Sequence, residues 1–346
     1  MFTVFIGETE LAKIPGLSAA GADVDALRHT APSDADVLHF GKPRCVSTIP
    51  VDPQGHPSPT IITKAAIDEA KLPYLVVCAG NSVNPACPFE TVASEPGKDP
   101  RFGKAVENTE EIIKRSEALA KKLAPQLKRI VIGESVPGGT TTALLLLRAL
   151  GYDHTVSSAG PVNPLQLKEE IWQAVSKRLN ITIGGLKGKG YEAAEEVGDP
   201  MQIAVSAFVR ALPEKIDVTL AGGTQMLAVA ALLRDLGETR PLLVATTKYV
   251  YKDPTSCMEE YAKEIGCGLW WAPLDFSKSP RRGFAEYELG YIKEGVGMGG
   301  AVMYAMQQGV PIERIQQKAE ELYDTLTENM EANFKNKRKL QICTTG

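Results

Sequence analysis

Two glycine-flanked segments hold the residue types that can do chemistry. The first reads Gly133-Glu134-Ser135-Val136-Pro137-Gly138-Gly139-Thr140-Thr141-Thr142. It joins an apolar run, 129–133, to a helical pattern. Glycines at such a junction let backbone N–H groups approach an anion closely, and the helix N-terminus adds about half a positive charge. The threonine hydroxyls can donate further bonds. The spacing of Gly133, Gly138, Gly139 and Thr140 comes near that of the triphosphate loop, but Gly139 stands where that loop requires lysine. Without lysine the β- and γ-phosphates lose their main countercharge, so a monophosphate is the expected ligand. The plainer alternative is a threonine-capped helix with no ligand.

The second segment is Tyr291-Ile292-Lys293-Glu294-Gly295-Val296-Gly297-Met298-Gly299-Gly300. Gly295, Gly297 and Gly300 satisfy a GxGxxG pattern. The context for a dinucleotide site is missing: no convincing strand precedes, and too little chain follows for another βα unit. Glu294, a carboxylate set directly before glycines, is left in need of another use.

Both segments resemble the nicotinate-nucleotide–dimethylbenzimidazole phosphoribosyltransferase family. That family's first motif runs roughly Gly-Glu-Met-Gly-Ile-Gly-Asn-Thr-Thr. Gly133, Glu134, Gly138, Thr140 and Thr141 match it, and Ser135, Val136, Pro137 and Gly139 depart. The family's Glu-Gly-x-Gly motif matches Glu294, Gly295 and Gly297, its glycine pair matches Gly222-Gly223, and its phosphate-contacting lysine falls at Lys168. The resemblance covers roughly 125–305. It implies transfer of phosphoribose from nicotinate mononucleotide to a benzimidazole or purine base, with inversion at C1′. Glu294 is the implied general base and residues 138–142 the 5′-phosphate site, with no cofactor or metal and a homodimeric assembly. Glu134 is assigned to ribose hydroxyls or the incoming base. The family's Asp-His-Gly after an early strand is missing, and Cys78-Ala79-Gly80-Asn81-Ser82 occupies the comparable place. Asn81, Ser82 and Asn84 are candidates for contacting the base. Another enzyme of phosphorylated ribose, or a nucleotide carrier, remains open at this point.

The elements that must position these residues are legible as parallel βα units. Short apolar runs at 74–80, 129–133, 217–221, 241–245 and 268–272, with an opening run at 1–7, alternate with charged helical stretches near 104–123, 164–178, 199–211 and 311–334. The expected fold is α/β and Rossmann-like, a mostly parallel sheet flanked by helices. Residues 61–305 form the main domain, and 1–60 with 306–346 a smaller one. Apolar positions of 199–211 are expected at the surface, as a dimer face. The loop 51–59 reads as rigid, with His56 at the surface.

The chain has 346 residues and a formal net charge of −4. Mild acidity argues against nucleic acid, whose phosphates demand clustered Lys and Arg. The basic cluster Lys335-Asn336-Lys337-Arg338-Lys339 reads as a solvated helix end. No run of about 18 apolar residues is present, so no membrane span is expected. The six cysteines form no CxxC pair, so reduced, mostly buried thiols in a cytoplasmic protein are expected and a zinc site is not.

Overall fold

The computed structural model describes residues 1–18, 24–46, 51–52 and 54–343. Seven strands form one sheet: β1 (Phe2–Ile6), β2 (Tyr74–Ala79), β3 (Glu90–Ala93), β4 (Arg129–Ser135), β5 (Asp217–Ala221), β6 (Leu243–Thr247) and β7 (Gly268–Ala272). Their spatial order is β3-β2-β1-β4-β5-β6-β7, and every pairing is parallel. Residues 2–6, grouped by sequence with an accessory domain, therefore lie inside the sheet between β2 and β4. The order of connection reverses between β1 and β4. In open parallel sheets, a crevice outside the carboxyl ends of the strands opens at that point.

Both faces are covered, which is why the strands read as nearly unbroken apolar runs. The period-two alternation splits each strand between two cores. Phe2, Val4 and Ile6 pack with Val76, Cys78 and Val131 on one face. Phe5, Val77, Ile130, Ile132, Leu220 and Val244 enter the core on the other.

The helices, in chain order, begin with α1 (Val24–Phe40), α2 (Thr60–Ala70), α3 (Thr109–Leu123), α4 (Gly139–Leu150) and α5 (Leu165–Leu179). There follow α6 (Gly190–Val197), α7 (Pro200–Ala211), α8 (Thr224–Asp235) and the one-turn α9 (Lys248–Tyr251). The chain ends with α10 (Met258–Ile265), the one-turn α11 (Arg282–Ala285), α12 (Met298–Gln307) and α13 (Ile312–Cys343). Helices α1, α2, α12 and α13 share the Phe2 face. Helices α3 to α8 and α10 share the Phe5 face.

Helix α7 corrects an expectation. Pro200 through Val209 are all buried within this chain, so its apolar residues are core and present no interface. Asp199 caps it with a capping box, its side chain accepting from the Gln202 N–H. The side chains of 335–339 lie outside the described residues.

Two close contacts fix the architecture around the crevice. Asp36 of α1 is fully buried, and its two oxygens accept four backbone N–H bonds, from Arg44 and Cys45 (2.9 and 2.8 Å) and from Ala86 and Cys87 (2.7 and 3.0 Å). One carboxylate thus ties α1 to two loops. Helix α12 lies directly on the sheet because its first turn is glycine. A Cβ on Gly299 would stand 2.1 Å from the Thr246 carbonyl oxygen, and one on Gly300 2.2 Å from the Ala221 Cβ.

Gly300→Ala is therefore expected to lift α12 from β5 and to destabilise the protein by about 3 kcal/mol, at the upper end for an overpacked core. Denaturant unfolding of the variant checks this.

Candidate active site

A cavity of about 740 Å³ opens above the carboxyl ends of β4, β5 and β6. Its floor carries two glutamates. Glu134, near the carboxyl end of strand β4, is 2 % exposed. Glu294, in the loop before α12, is half-buried at the cavity wall. The glycine pair after β5 lies against both. A Cβ on Gly222 would stand 3.3 Å from a Glu134 carboxylate oxygen, and one on Gly223 4.0 Å from the Glu294 Cβ. Gly223 lines the cavity, and Gly222 sits just behind it.

Neither carboxylate has an ion-pair partner among the described residues. Glu294 is held by backbone instead: its oxygens accept the N–H of Gly295 at 3.1 Å and that of Gly299, in the first turn of α12, at 3.2 and 3.3 Å. These donors and the helix N-terminus favour the charged form. Crowding by protein removes water and outweighs them, so the Glu294 pKa is pushed up to about 8. Burial, and next the charge of Glu294, raise Glu134 well above the carboxylate range.

The Glu294 loop is held in a costly backbone shape. Ile292 and Val296 have φ of 49° and 56°. A buried β-branched residue in the left-handed region stores roughly 1–3 kcal/mol, and such strain collects where a side chain must be aimed. The Val296 carbonyl accepts the Thr63 hydroxyl at 3.2 Å, and Thr247 donates to the Lys293 carbonyl. Gly133 and Gly297 supply the joint beneath: a Cβ on Gly297 would stand 2.7 Å from the Gly133 Cα. These two motif glycines let the loop rest on β4 and do not line the cavity. Gly295 does line it, packed against Pro59.

The glycine–threonine segment divides in the same way. Gly138, with φ of 81°, and Gly139 and Thr140 line the cavity at the N-terminus of α4. Thr141 and Thr142 are fully buried, and Thr142 donates to Asp199 at 2.5 Å. Gly139 packs against Gln225 from the first turn of α8, where a Cβ would stand 1.9 Å from the amide oxygen. Lys168 is fully buried too. Its Nζ donates to the Ser157 carbonyl at 2.8 Å and the Asn163 side chain at 3.1 Å, pinning the underside of the 157–164 loop that lines the cavity. Burial, and then neighbouring Lys293, lower its pKa to about 7. The lysine that reaches the cavity is Lys293, paired with Asp253 at 2.6 Å.

Three loop residues lie elsewhere. Asn81, Ser82 and Asn84 are absent from the cavity wall, and Ser82 donates to Glu8 at 2.5 Å. His56, expected at the surface, is 2 % exposed, bridging Asp52 and Glu286 at 2.6 and 2.8 Å and stacked on Tyr291. Cys78 and Cys87 are buried, but Cys45, Cys257 and Cys267 are only half-buried. Among the described residues no acidic, cysteine or histidine cluster could hold a metal ion.

One wall of the cavity, formed by α1, was assigned no role from sequence. Ala26, His29, Thr30, Ser33 and Asp34 share one helical face and line the cavity. Asp34 accepts from Ser58 at 2.7 Å and Ser135 at 2.8 Å, and burial lifts its pKa to about 6. The one signal was the recurrence of polar residues at helical spacing over 29–34.

A carboxylate whose folded pKa is raised keeps its proton in the folded state after the unfolded chain has lost it. Its contribution to stability is fully present below the unfolded pKa and lost as pH rises through the folded one. Glu134, Glu294, Asp34 and Asp199 (also about 6, from burial) all act in this sense. Stability is expected to fall between pH 4.5 and 8. Glu294→Gln should flatten that fall and gain most over the parent at pH 8, as read by urea unfolding at several pH values.

No family model matches the chain. Relatives match over nearly its whole length. A UPF0284 protein of Pyrococcus furiosus is 45 % identical over 328 residues, 94 % of this chain and 98 % of that one. A UPF0284 protein of Methanothermobacter thermautotrophicus is 39 % identical over 338 residues, 94 % and 93 %. Among solved structures, the nicotinate-nucleotide–dimethylbenzimidazole phosphoribosyltransferase of Thermus thermophilus superposes with a TM-score of 0.57 at 16 % identity, covering 93 % of this chain and 82 % of its own. CobT of the same organism gives 0.58 at 17 %, covering 93 % and 83 %. The likeness read from two glycine motifs thus extends, as a shared fold, well beyond residues 125–305. The chain belongs to the UPF0284 family, a divergent branch on the fold of those phosphoribosyltransferases.

Proposed function

We propose that the chain transfers phosphoribose from nicotinate mononucleotide to a lower-ligand base, dimethylbenzimidazole or a relative of it, for cobamide synthesis. The observation that carries this reading is Glu294: a carboxylate with no ion-pair partner among the described residues, held by backbone donors at a cavity at the carboxyl ends of β4 to β6, with its pKa pushed up to about 8. A general base works best with a pKa near the working pH. The shared fold with a phosphoribosyltransferase supports the same reading.

The proposed chemistry is a direct displacement. The 5′-phosphate sits at the N-terminus of α4, against Gly138, Gly139 and Thr140. One ring nitrogen of the base attacks C1′ from the face opposite nicotinate, forming the new C–N bond. The C1′–nicotinate bond breaks, and its electron pair returns to the pyridinium nitrogen, which leaves neutral. The proton on the base's second nitrogen passes to Glu294. Displacement from the opposite face inverts C1′. Burial pushes the Glu134 carboxyl toward its neutral form, in which it donates a hydrogen bond to the ribose or base without repelling the phosphate.

Incubation with nicotinate mononucleotide and a base should release nicotinate and yield an α-ribotide, both followed by chromatography. Glu294→Gln should lower kcat by about 10²–10⁴ with nucleotide binding retained. The parent's rate should climb as pH rises through about 8, as Glu294 loses its proton. Unchanged turnover in the variant would remove Glu294 from the role of base. Separately, Thr140→Val should weaken nucleotide binding about tenfold and leave base binding alone, by loss of one hydrogen bond to a charged group. Calorimetry with each substrate in turn reads this, and the opposite order would displace the phosphate from α4.

A further inference from the structure

Asp34 is buried at the cavity wall and takes no part in the proposed displacement. Its side chain joins two segments instead. One oxygen accepts the Ser135 hydroxyl at 2.8 Å, at the end of β4 and directly after Glu134. The other accepts the Ser58 hydroxyl at 2.7 Å, just before α2. The Ser58 oxygen in turn accepts the Thr60 N–H at 3.4 Å, and the Thr60 hydroxyl donates to the Asp34 carbonyl at 2.9 Å. Helix α2 has no acidic residue in its first turn and no side-chain cap at Pro59. Its start is fastened to Asp34 through both main chain and side chain, and a carboxylate there meets the positive end of the helix.

The same turn of α2 backs the Glu294 loop. A Cβ on Gly295 would stand 2.7 Å from the Pro59 Cγ, and Thr63 donates to the Val296 carbonyl at 3.2 Å. Val296 holds a φ of 56°, a shape that persists only while its surroundings enforce it. Asp34 therefore braces the cavity floor, with the strand end of Glu134 on one arm and the seat of Glu294 on the other.

We infer that Asp34 is a positioning residue for the proposed transfer: through Ser135 and Ser58 it fixes Glu134 against the Glu294 loop, and by pressing α2 on Gly295 it keeps water from Glu294. This rests on the phosphoribosyltransferase reading for what the two glutamates do. Asp34 needs no contact with substrate. Burial is the first cause of the high Glu294 pKa, ahead of the backbone donors that lower it. Loosening α2 admits water and removes that first cause, so the pKa falls.

The test reads the pH at which Glu294 loses its proton, as the midpoint of the kcat/KM profile. Asp34→Ala should bring that midpoint from about 8 to about 7 or below and lower kcat by about 10–100-fold. Asp34→Asn can still bond both serines, because a hydroxyl both donates and accepts, and it should restore the midpoint and most of kcat. Ser58→Ala cuts only the α2 arm and should reproduce the fall. Ser135→Ala should leave the midpoint in place and raise KM for nicotinate mononucleotide. Glu134, Lys293 and its partner Asp253, the charged groups beside Glu294, are intact in every variant. A second reading needs no turnover: the gain in urea stability that Glu294→Gln brings at pH 8 should vanish in the Asp34→Ala background. A midpoint and a gain that neither Asp34→Ala nor Ser58→Ala moves overturn the inference and leave the reaction standing. A gain that vanishes, with no nicotinate released by the parent with any base, keeps Asp34 as the brace and sinks the reaction. An unmoved gain with no release overturns both.

Discussion

The layout around the crevice depends on keeping carboxylates at its floor without giving them a cation. Burying such a group is unfavourable unless hydrogen bonds replace its water. Glu294 obtains them from Gly295 and Gly299, and this dictates the surrounding backbone. The N–H of Gly299 reaches the carboxylate only because α12 begins right there. The helix can begin there only if its first turn lies flat against Thr246 and Ala221, which requires Gly299 and Gly300. The loop before it must then reverse sharply, which puts Val296 in the left-handed region.

The same constraint explains the glycine pair after β5. Glu134 leaves β4 beside it, and the strong upward push on its pKa includes the charge of Glu294 as the second cause after burial. Gly222 and Gly223 take up little enough space that both glutamate side chains fit against one turn. Larger residues there would force the carboxylates apart and weaken their coupling. The sheet supplies the geometry for this crowding, since parallel strands all present their carboxyl ends on one side and the order reverses between β1 and β4.

Much of the sheet was legible because a strand covered on both faces is a nearly unbroken apolar run, as β2, β4 and β5 are. The four-residue edge strand β3 offered too short a run to register, and α12 was hidden by the glycines that its packing demands. Helix α1 was hidden for a different reason. Its sequence contains Pro32, and the residues it turns to the crevice include His29, Thr30, Ser33 and Asp34, so the apolar stripe that marks a packed helix is broken. Within the site, the segments carrying Glu134, Gly138 and Glu294 were visible as motifs. Motif spacing could not tell which members face the cavity: α4 turns about 100° per residue, which puts Thr140 at the wall and Thr142 against Asp199. The resemblance made Lys168 a phosphate contact, and only the three-dimensional packing of loop 157–164 shows it buried with its Nζ turned to that loop.

Helix α1 separates two duties along its length. Asp36 binds it to two loops through four backbone donors, and none of those contacts involves the turns that carry His29 and Thr30. Selection can therefore change the residues along the crevice while the helix stays bolted in place by main-chain groups that any sequence supplies. Glu294 has no such freedom, because the glycines, the strained turn and α12 were all settled around it. The fold thus pairs an adaptable wall with a floor that tolerates almost no change.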